Sequence, residues 1–244
     1  MKRTTRRGFF FTVVLGAVCA GNLRAEFPTA SIDKYLESCA ARGEFSGVVL
    51  VARRGEVQYH RALGTASIDG SEPLRKDSVF RLASVAKAFT AVSILMLRQE
   101  GKLSLDDDVR KYVPALPYEG ATIRHLLHHT SGLPDYVKLL DKHWDKGEGD
   151  LSRRRFATNP DALAQFIEHK PPVRFAPGER WDYSNTGYML LALVVEKISG
   201  ERFGDFLEKK IFAPLGMKDT VLFTPLKPPA IEHRAWGFRL TPDG

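Results

Sequence analysis

Ser84 and Lys87 stand three residues apart in Phe80-Arg81-Leu82-Ala83-Ser84-Val85-Ala86-Lys87-Ala88-Phe89-Thr90, a spacing that puts both on one face of a helix. A serine hydroxyl is a weak nucleophile, and an amine held against it, partly withdrawn from water, can activate it for attack on a carbonyl carbon. The chemistry this pair suggests is acyl transfer through a covalent serine intermediate. A second Ser-x-x-Lys, Ser31-Ile32-Asp33-Lys34, reads as a helix N-cap followed by a solvent-facing lysine. His125, His128 and His129 have the i, i+3, i+4 spacing of metal ligands on a helix. Zinc would need a further ligand and a carboxylate base, and Leu126 stands where a zinc protease carries its glutamate. No metal and no cofactor is therefore expected.

These residues need elements to hold them. The segment from Ser84 to about Glu100 contains no proline, is mostly apolar and stops at Gly101, so a helix is expected there with Ser84 at its start. Upstream, Ile32, Tyr35, Leu36, Cys39 and Ala40 mark one face of a helix over 31–42, closed by Gly43 and burying Cys39. Two strands follow: the continuous apolar run Ser46 to Ala52, and the more exposed Glu56 to Leu63, joined by a turn at Arg53-Arg54-Gly55. One hairpin does not stand alone, so further strands are expected. Downstream the chain is mainly helical. Residues 101–108 read as a loop with capping residues, 123–128 as a short helix and His129 to Pro134 as a turn. The charged stretch 136–160 reads as a mobile surface excursion. After Pro171-Pro172 and Pro177-Gly178, a helix is expected through Met189–Val195 to Gly200, and another over Phe203 to Ile211, ending at Pro214. No internal repeat or low-complexity segment occurs.

A chain of 244 residues with 43% hydrophobic and 10% aromatic content is long enough to build a sizeable core. Its net charge of +7 is not a nucleic-acid signature. Five of the 36 Lys and Arg (Lys2, Arg3, Arg6, Arg7, Arg24) lie in the first 25 residues, which hold no acid, so 31 remain against 29 Asp and Glu, a net of +2. Arg153-Arg154-Arg155 reads as a solvated loop. Residues 1–25 have a basic start, the apolar run Phe9 to Ala20 and a small-residue cleavage site at Asn22-Leu23-Arg24-Ala25, the pattern of an export signal. Arg6-Arg7 within Thr5-Arg6-Arg7-Gly8-Phe9-Phe10 favours the twin-arginine route. Cys19 would suit a lipid anchor only behind a small residue, and Val18 precedes it. A periplasmic or secreted protein is expected, with no membrane span after cleavage and no disulfide, because Cys39 alone remains.

Several motifs converge on one family. Phe80 to Lys87, Leu126-Leu127-His128-His129-Thr130-Ser131-Gly132-Leu133-Pro134, Pro177-Gly178, Tyr183-Ser184-Asn185-Thr186-Gly187-Tyr188, Pro214-Leu215-Gly216-Met217 and Arg234-Ala235-Trp236-Gly237-Phe238 occur in order from about residue 45 to 238. The chain thereby resembles the superfamily of serine β-lactamases and penicillin-binding D-alanyl-D-alanine peptidases, in the branch holding class C β-lactamases, D,D-carboxypeptidases and related esterases. The resemblance implies an α+β fold, an antiparallel sheet flanked by helices beside a mainly helical domain. It implies a serine hydrolase taking a small-molecule or peptide acyl substrate: a β-lactam, a D-Ala-D-Ala peptide or a small ester. Ser84 would carry the acyl group and Lys87 help take its proton. Tyr183 would shuttle a proton to the leaving group. Asn185 would offer its amide to the substrate and help hold Lys87, and the Ser84 N–H would be one oxyanion-hole donor. Ser184, where class C β-lactamases usually carry alanine, tilts the reading towards peptidase or esterase relatives.

The family's third motif, Lys or His with Gly on a sheet strand, is not met before Gly244. A C-terminally truncated enzyme is therefore expected: an export signal over 1–25, the start of the sheet domain over 26–66, a helical domain carrying the motifs over 67–223, and the beginning of an incomplete C-terminal part over 224–244. The alternative is a catalytically incomplete fragment or a non-catalytic binding module.

Overall fold

A proline decides where the first helix starts. In the computed structural model, which describes residues 27–147, 156–224 and 230–237, helix α1 runs from Thr29 to Ala41 with Pro28 at its N-cap position. Proline has fixed φ and no N–H to lose, so it is well placed at a helix entrance. Ser31, expected as the cap, lies instead inside the first turn, and no side chain caps this helix. Leu36 and Cys39 are buried as the periodicity predicts, but Tyr35 is 68% exposed. At 3.6 residues per turn Tyr35 stands roughly 60° round the helix from Ile32, at the edge of the apolar stripe.

The chain divides into two compact units, residues 1–64 and 65–244. In the first, α1 packs on a hairpin of β1 (Gly47–Arg53) and β2 (Glu56–Leu63). Pairing is antiparallel from Gly47 with Leu63 to Val51 with Tyr59, and then shifts, so that Ala52 meets Val57. The turn residues Arg54 and Gly55 both have positive φ, 54° and 82°, which matches the right-handed twist of a two-residue hairpin. The expected contrast between the strands is reversed. Leu50 of the apolar β1 is 53% exposed, whereas Tyr59 of β2 is buried. The reason is α1, which lies against β2: the Tyr59 hydroxyl donates to the Asp33 carboxylate at 2.6 Å, and the Arg61 guanidinium pairs with Asp33 and with Glu37. Among the described residues this hairpin is the one sheet.

The second unit is built on α6 (Asn185–Ser199), whose Leu190, Leu191, Val194 and Val195 have no exposed surface. A helix apolar nearly all round has to be enclosed. It is enclosed by α2 (Lys87–Gln99), α3 (Ile123–Leu127), α4 (Tyr136–His143), α5 (Asn159–His169) and α7 (Phe203–Leu207), the last running on through a π turn, Glu208–Phe212. Ile94, Leu97, Ile123, Leu126 and Phe166 fill the space around it. Gly200, at φ 72°, closes α6 in the left-handed conformation that glycine adopts without strain.

Two expectations are corrected here. The stretch 136–160 is not a plain excursion: Asp135 caps α4 by accepting the Val137 N–H, and Leu139 is buried. The sequence reading passed over α5, whose signals were present in Thr158 and Asp161, a reciprocal capping box, followed by Ala162 and Phe166 four residues apart. Residues 1–25, where the export signal is expected, with Cys19, Arg153 to Arg155 and most of 224–244 lie outside the described residues. Among the described residues no helix is long and apolar enough to cross a membrane.

Phe166 is fully buried and meets Tyr118 edge to face at 6.0 Å. Phe166→Ala is expected to cost about 3–5 kcal/mol in urea unfolding, the usual range for emptying an aromatic core position. Leu50→Ala in the first unit, at an exposed position, should stay within about 0.5 kcal/mol of the parent. Equal losses at the two positions would contradict this assignment of the core.

Candidate active site

Ala83 holds φ at +45°, a conformation uncommon outside glycine, directly before the expected nucleophile. A 3-10 turn, Ala83–Ala86, follows, and α2 starts only at Lys87, so Ser84 sits in this tight turn and not in the α-helix proper. The turn leaves Ser84 exposed at the surface of the unit while Lys87 is half-buried.

The four residues singled out from the sequence come together. Ser84 Oγ lies 2.6 Å from Tyr183 Oη, and Lys87 Nζ donates to Ser84 Oγ at 3.3 Å and to Asn185 Oδ1 at 2.9 Å. The amine also faces two aromatic rings, Tyr183 at 4.9 Å and Tyr188 at 5.6 Å from the centroids. Ser31 and Lys34, the competing pair, are both exposed residues of α1.

Each residue from Tyr183 to Tyr188 has a separate task. Ser184 caps α6, its Oγ accepting the Gly187 N–H at 3.2 Å, and is 6% exposed. Its hydroxyl therefore serves the helix. Thr186 Oγ1 donates to the Pro134 carbonyl at 2.6 Å and accepts the Tyr136 N–H at 2.9 Å, tying α6 to the entrance of α4. A Cβ on Gly187 would stand 3.1 Å from the Leu126 carbonyl oxygen, so the small residue lets α6 approach α3. Tyr188 donates its hydroxyl to the Leu127 carbonyl at 3.1 Å.

The segment entering α6 is aligned by residues 129–132. Arg174 N–H donates to Gly132 O, Gly178 N–H to Thr130 O and Asp182 N–H to His129 O, each at 2.8 Å. Gly132 is obligatory at this approach: its φ is 68°, and a Cβ would stand 2.0 Å from the Phe175 carbonyl oxygen.

The histidines take other roles than metal binding. His125 completes a capping box with Thr122 at the start of α3, His128 is exposed, and His129 Nδ1 accepts the Ser184 N–H at 3.1 Å. Among the described residues no group of three or more His, Cys, Asp and Glu side chains could hold a metal ion. The roles of His129 and Tyr188 were missed from the sequence, although both stand inside the motifs quoted.

The electrostatics separate the two tyrosines. The Lys87 amine, and after it the Ser84 hydroxyl, hold the Tyr183 phenol below its ordinary pKa, while burial pushes Tyr188 up. Of these two like groups driven apart, Tyr183 is the one that gives up its proton more readily. Burial first, and then the Lys87 charge, lower His129.

Known proteins are similar to this chain in sequence and fold. Residues 32–243 match the family model described as Beta-lactamase. A penicillin-binding protein of Bacillus subtilis (strain 168) is 40% identical over 208 residues, which cover 85% of this chain and 45% of that protein. Esterase EstB of Burkholderia gladioli is 33% identical over 213 residues, covering 82% of this chain and 53% of the esterase. The chain thus spans about half the length of the curated relatives it matches. Among solved structures, a penicillin binding protein from Bacillus halodurans superimposes with a TM-score of 0.72 at 32% identity, over 86% of this chain and 62% of that one. The D-amino acid amidase of Ochrobactrum anthropi SV3, complexed with L-phenylalanine, gives 0.73 at 29% identity, over 88% and 56%. These neighbours bear out the expected α+β, β-lactamase-like fold.

The capping role of Ser184 is open to measurement. Ser184→Ala should cost about 1 kcal/mol in urea unfolding and Ser184→Gly only a few tenths, the order for an N-cap. An alanine variant as stable as the parent would remove the cap from the account.

Proposed function

The chain belongs to the beta-lactamase family, and on that premise we propose that it is an exported serine hydrolase that forms an acyl-enzyme at Ser84. The observation that carries the reading is the joint placement of Ser84, Lys87, Tyr183 and Asn185, with Tyr183 Oη 2.6 Å from the nucleophile. The substrate class is an acyl compound with an ester or amide carbonyl: a small ester, a D-Ala-D-Ala peptide or a β-lactam. Relatives named as an esterase and an amidase support that breadth. The basic, apolar start over residues 1–25 supports export to the periplasm.

In the mechanism proposed, the Tyr183 oxygen, a shorter contact than the Lys87 amine, takes the Ser84 proton as phenolate. Ser84 Oγ bonds to the carbonyl carbon, and the carbonyl electron pair moves onto its oxygen. Collapse of this tetrahedral species breaks the bond to the leaving group, to which Tyr183 returns the proton. Water then repeats the sequence on the Ser84 ester, releasing the carboxylic acid and the free hydroxyl. Lys87 stabilises the phenolate before Tyr183 takes the Ser84 proton and again once that proton has passed to the leaving group. Asn185 fixes Lys87 through Oδ1 and keeps its NH2 free to donate to the acyl group.

The test is intact-mass measurement after incubation with a penicillin and, separately, with a p-nitrophenyl ester. A mass increase by one acyl group, lost in Ser84→Ala, is expected. No adduct on folded protein would overturn the reading and favour a non-catalytic binding module. With the labelling ester, kcat/KM should rise with pH through a midpoint below about 10, the ordinary phenol value. Tyr183→Phe should lower it by about 100-fold or more and abolish that rise.

A further inference from the structure

His129 has more contacts with the catalytic tyrosine and its neighbours than a turn residue needs. Its backbone carbonyl accepts the N–H of Asp182, the residue before Tyr183, at 2.8 Å. Its Nδ1 accepts the N–H of Ser184, the residue after Tyr183, at 3.1 Å. Its ring lies against the Tyr183 ring itself, centroid to centroid 4.7 Å and tilted by 31°, with Tyr188 at 5.1 Å and Trp181 at 6.2 Å. The residue meets these three demands at φ +60°, a left-handed conformation in which Asn, Asp and His are enriched among non-glycine residues.

We propose that His129 is the positioning residue of Tyr183: neutral, with its proton on Nε2, it grips the backbone on both sides of the tyrosine, stacks on its ring and so fixes Oη over Ser84. The inference rests on the hydrolase reading above, which gives Tyr183 its task. The ring touches no reacting atom, so its effect passes through Tyr183.

The grip exists in one protonation state. Nδ1 can accept the Ser184 N–H only while it carries no proton, and a proton there sets two donors against each other. The charged group facing the ring from α2 is Lys87, which opposes a second cation. On the segment entering α6 the Asp182 carboxylate is paired with Arg174, and Tyr183 and Tyr188 are the other titratable groups beside the ring. His125 and His128 are its titratable neighbours along the chain. An added charge on His129 would by itself draw Tyr183 further towards phenolate. A purely electrostatic role therefore makes the enzyme better as His129 protonates, and a positioning role makes it worse.

The experiment uses the full chain and three readouts. Nitrogen-15 spectra of histidine-labelled protein, with the His129 signal identified by its loss in His129→Asn, should show the Nε2–H tautomer and a titration midpoint below about 6.5. Turnover of the p-nitrophenyl ester from pH 5 to 8 should fall on the acid side with that same midpoint. His129→Phe, which keeps a ring but neither the acceptor nor an easy left-handed backbone, should lose about 100-fold in kcat with KM within about twofold, the size of a misplaced group. His129→Asn, whose Oδ1 can accept the same N–H from a left-handed backbone, should recover most of that loss and lose the limb with the histidine midpoint, keeping only the rise with pH that Tyr183 sets. An Nδ1–H tautomer, a limb at the His129 midpoint that survives in the asparagine variant, or a phenylalanine variant with unchanged kcat would each overturn the proposal. Should the phenylalanine variant not fold, the tautomer and the asparagine profile decide it. A parent chain without Ser84-dependent turnover would overturn the hydrolase reading instead, and the tautomer measured on that same protein still tests the grip.

Discussion

Lys87 Nζ bridges two helices that are a hundred residues apart in sequence, donating to Ser84 Oγ just ahead of α2 and to Asn185 Oδ1 at the start of α6. An amine at this point is useful only if both helices are held to within a few tenths of an ångström, because hydrogen bonds weaken steeply as distance and angle degrade. The burial of α6 supplies that rigidity. Ile94 and Leu97 of α2 pack in the same core as Leu190, Leu191 and Val194, so the apolar interior and the polar site share their supporting elements. Emptying the core would loosen the site even where no catalytic group is touched.

The site also stores local strain, placed where the chain has to turn a reactive group outward. Ala83 at φ +45° precedes Ser84, and His129 at φ +60° stands against Tyr183. Positive φ in a non-glycine residue costs free energy, of order 1 kcal/mol or more, and persists only where surrounding contacts over-determine it. Around His129 those contacts are visible: Asp182 and Ser184 donate to it, and Gly132, three residues on, permits an approach to Phe175 that a Cβ would block. The sequence around Ser131-Gly132 therefore encodes a backbone path as much as a set of side chains.

How far the sequence discloses this depends on whether a residue acts through its chemistry or through its place. Ser84 and Lys87 are legible because acyl transfer needs those groups at helical spacing, and Tyr183 and Asn185 because they stand in a motif with a known order. The long apolar run of α6 is legible from its composition. Leu50 of β1 is exposed because α1 lies over β2 through Asp33 and Glu37, and β1 pairs with β2 alone among the described residues. Helix α5 is hard to read from the sequence because its Thr158 and Asp161 capping box stands among prolines and charges. What the sequence leaves open here is not chemistry but which neighbour a side chain meets, and that is decided by packing.

The pair Tyr183 and Tyr188 shows how one helix start separates two identical side chains. Both rings lie within 6 Å of Lys87 Nζ and both stack on His129. Tyr188 is carried one turn further into the core, where burial opposes its ionisation and its hydroxyl is engaged by the Leu127 carbonyl. Tyr183 stands outside the first turn, 39% exposed, with its oxygen on Ser84 and next to the lysine charge. A five-residue spacing along a single chain segment is thus enough to make one phenol a structural donor and leave the other free to exchange a proton. Ser184 sets that division, because the cap fixes where the helix begins and hence which tyrosine it carries inward.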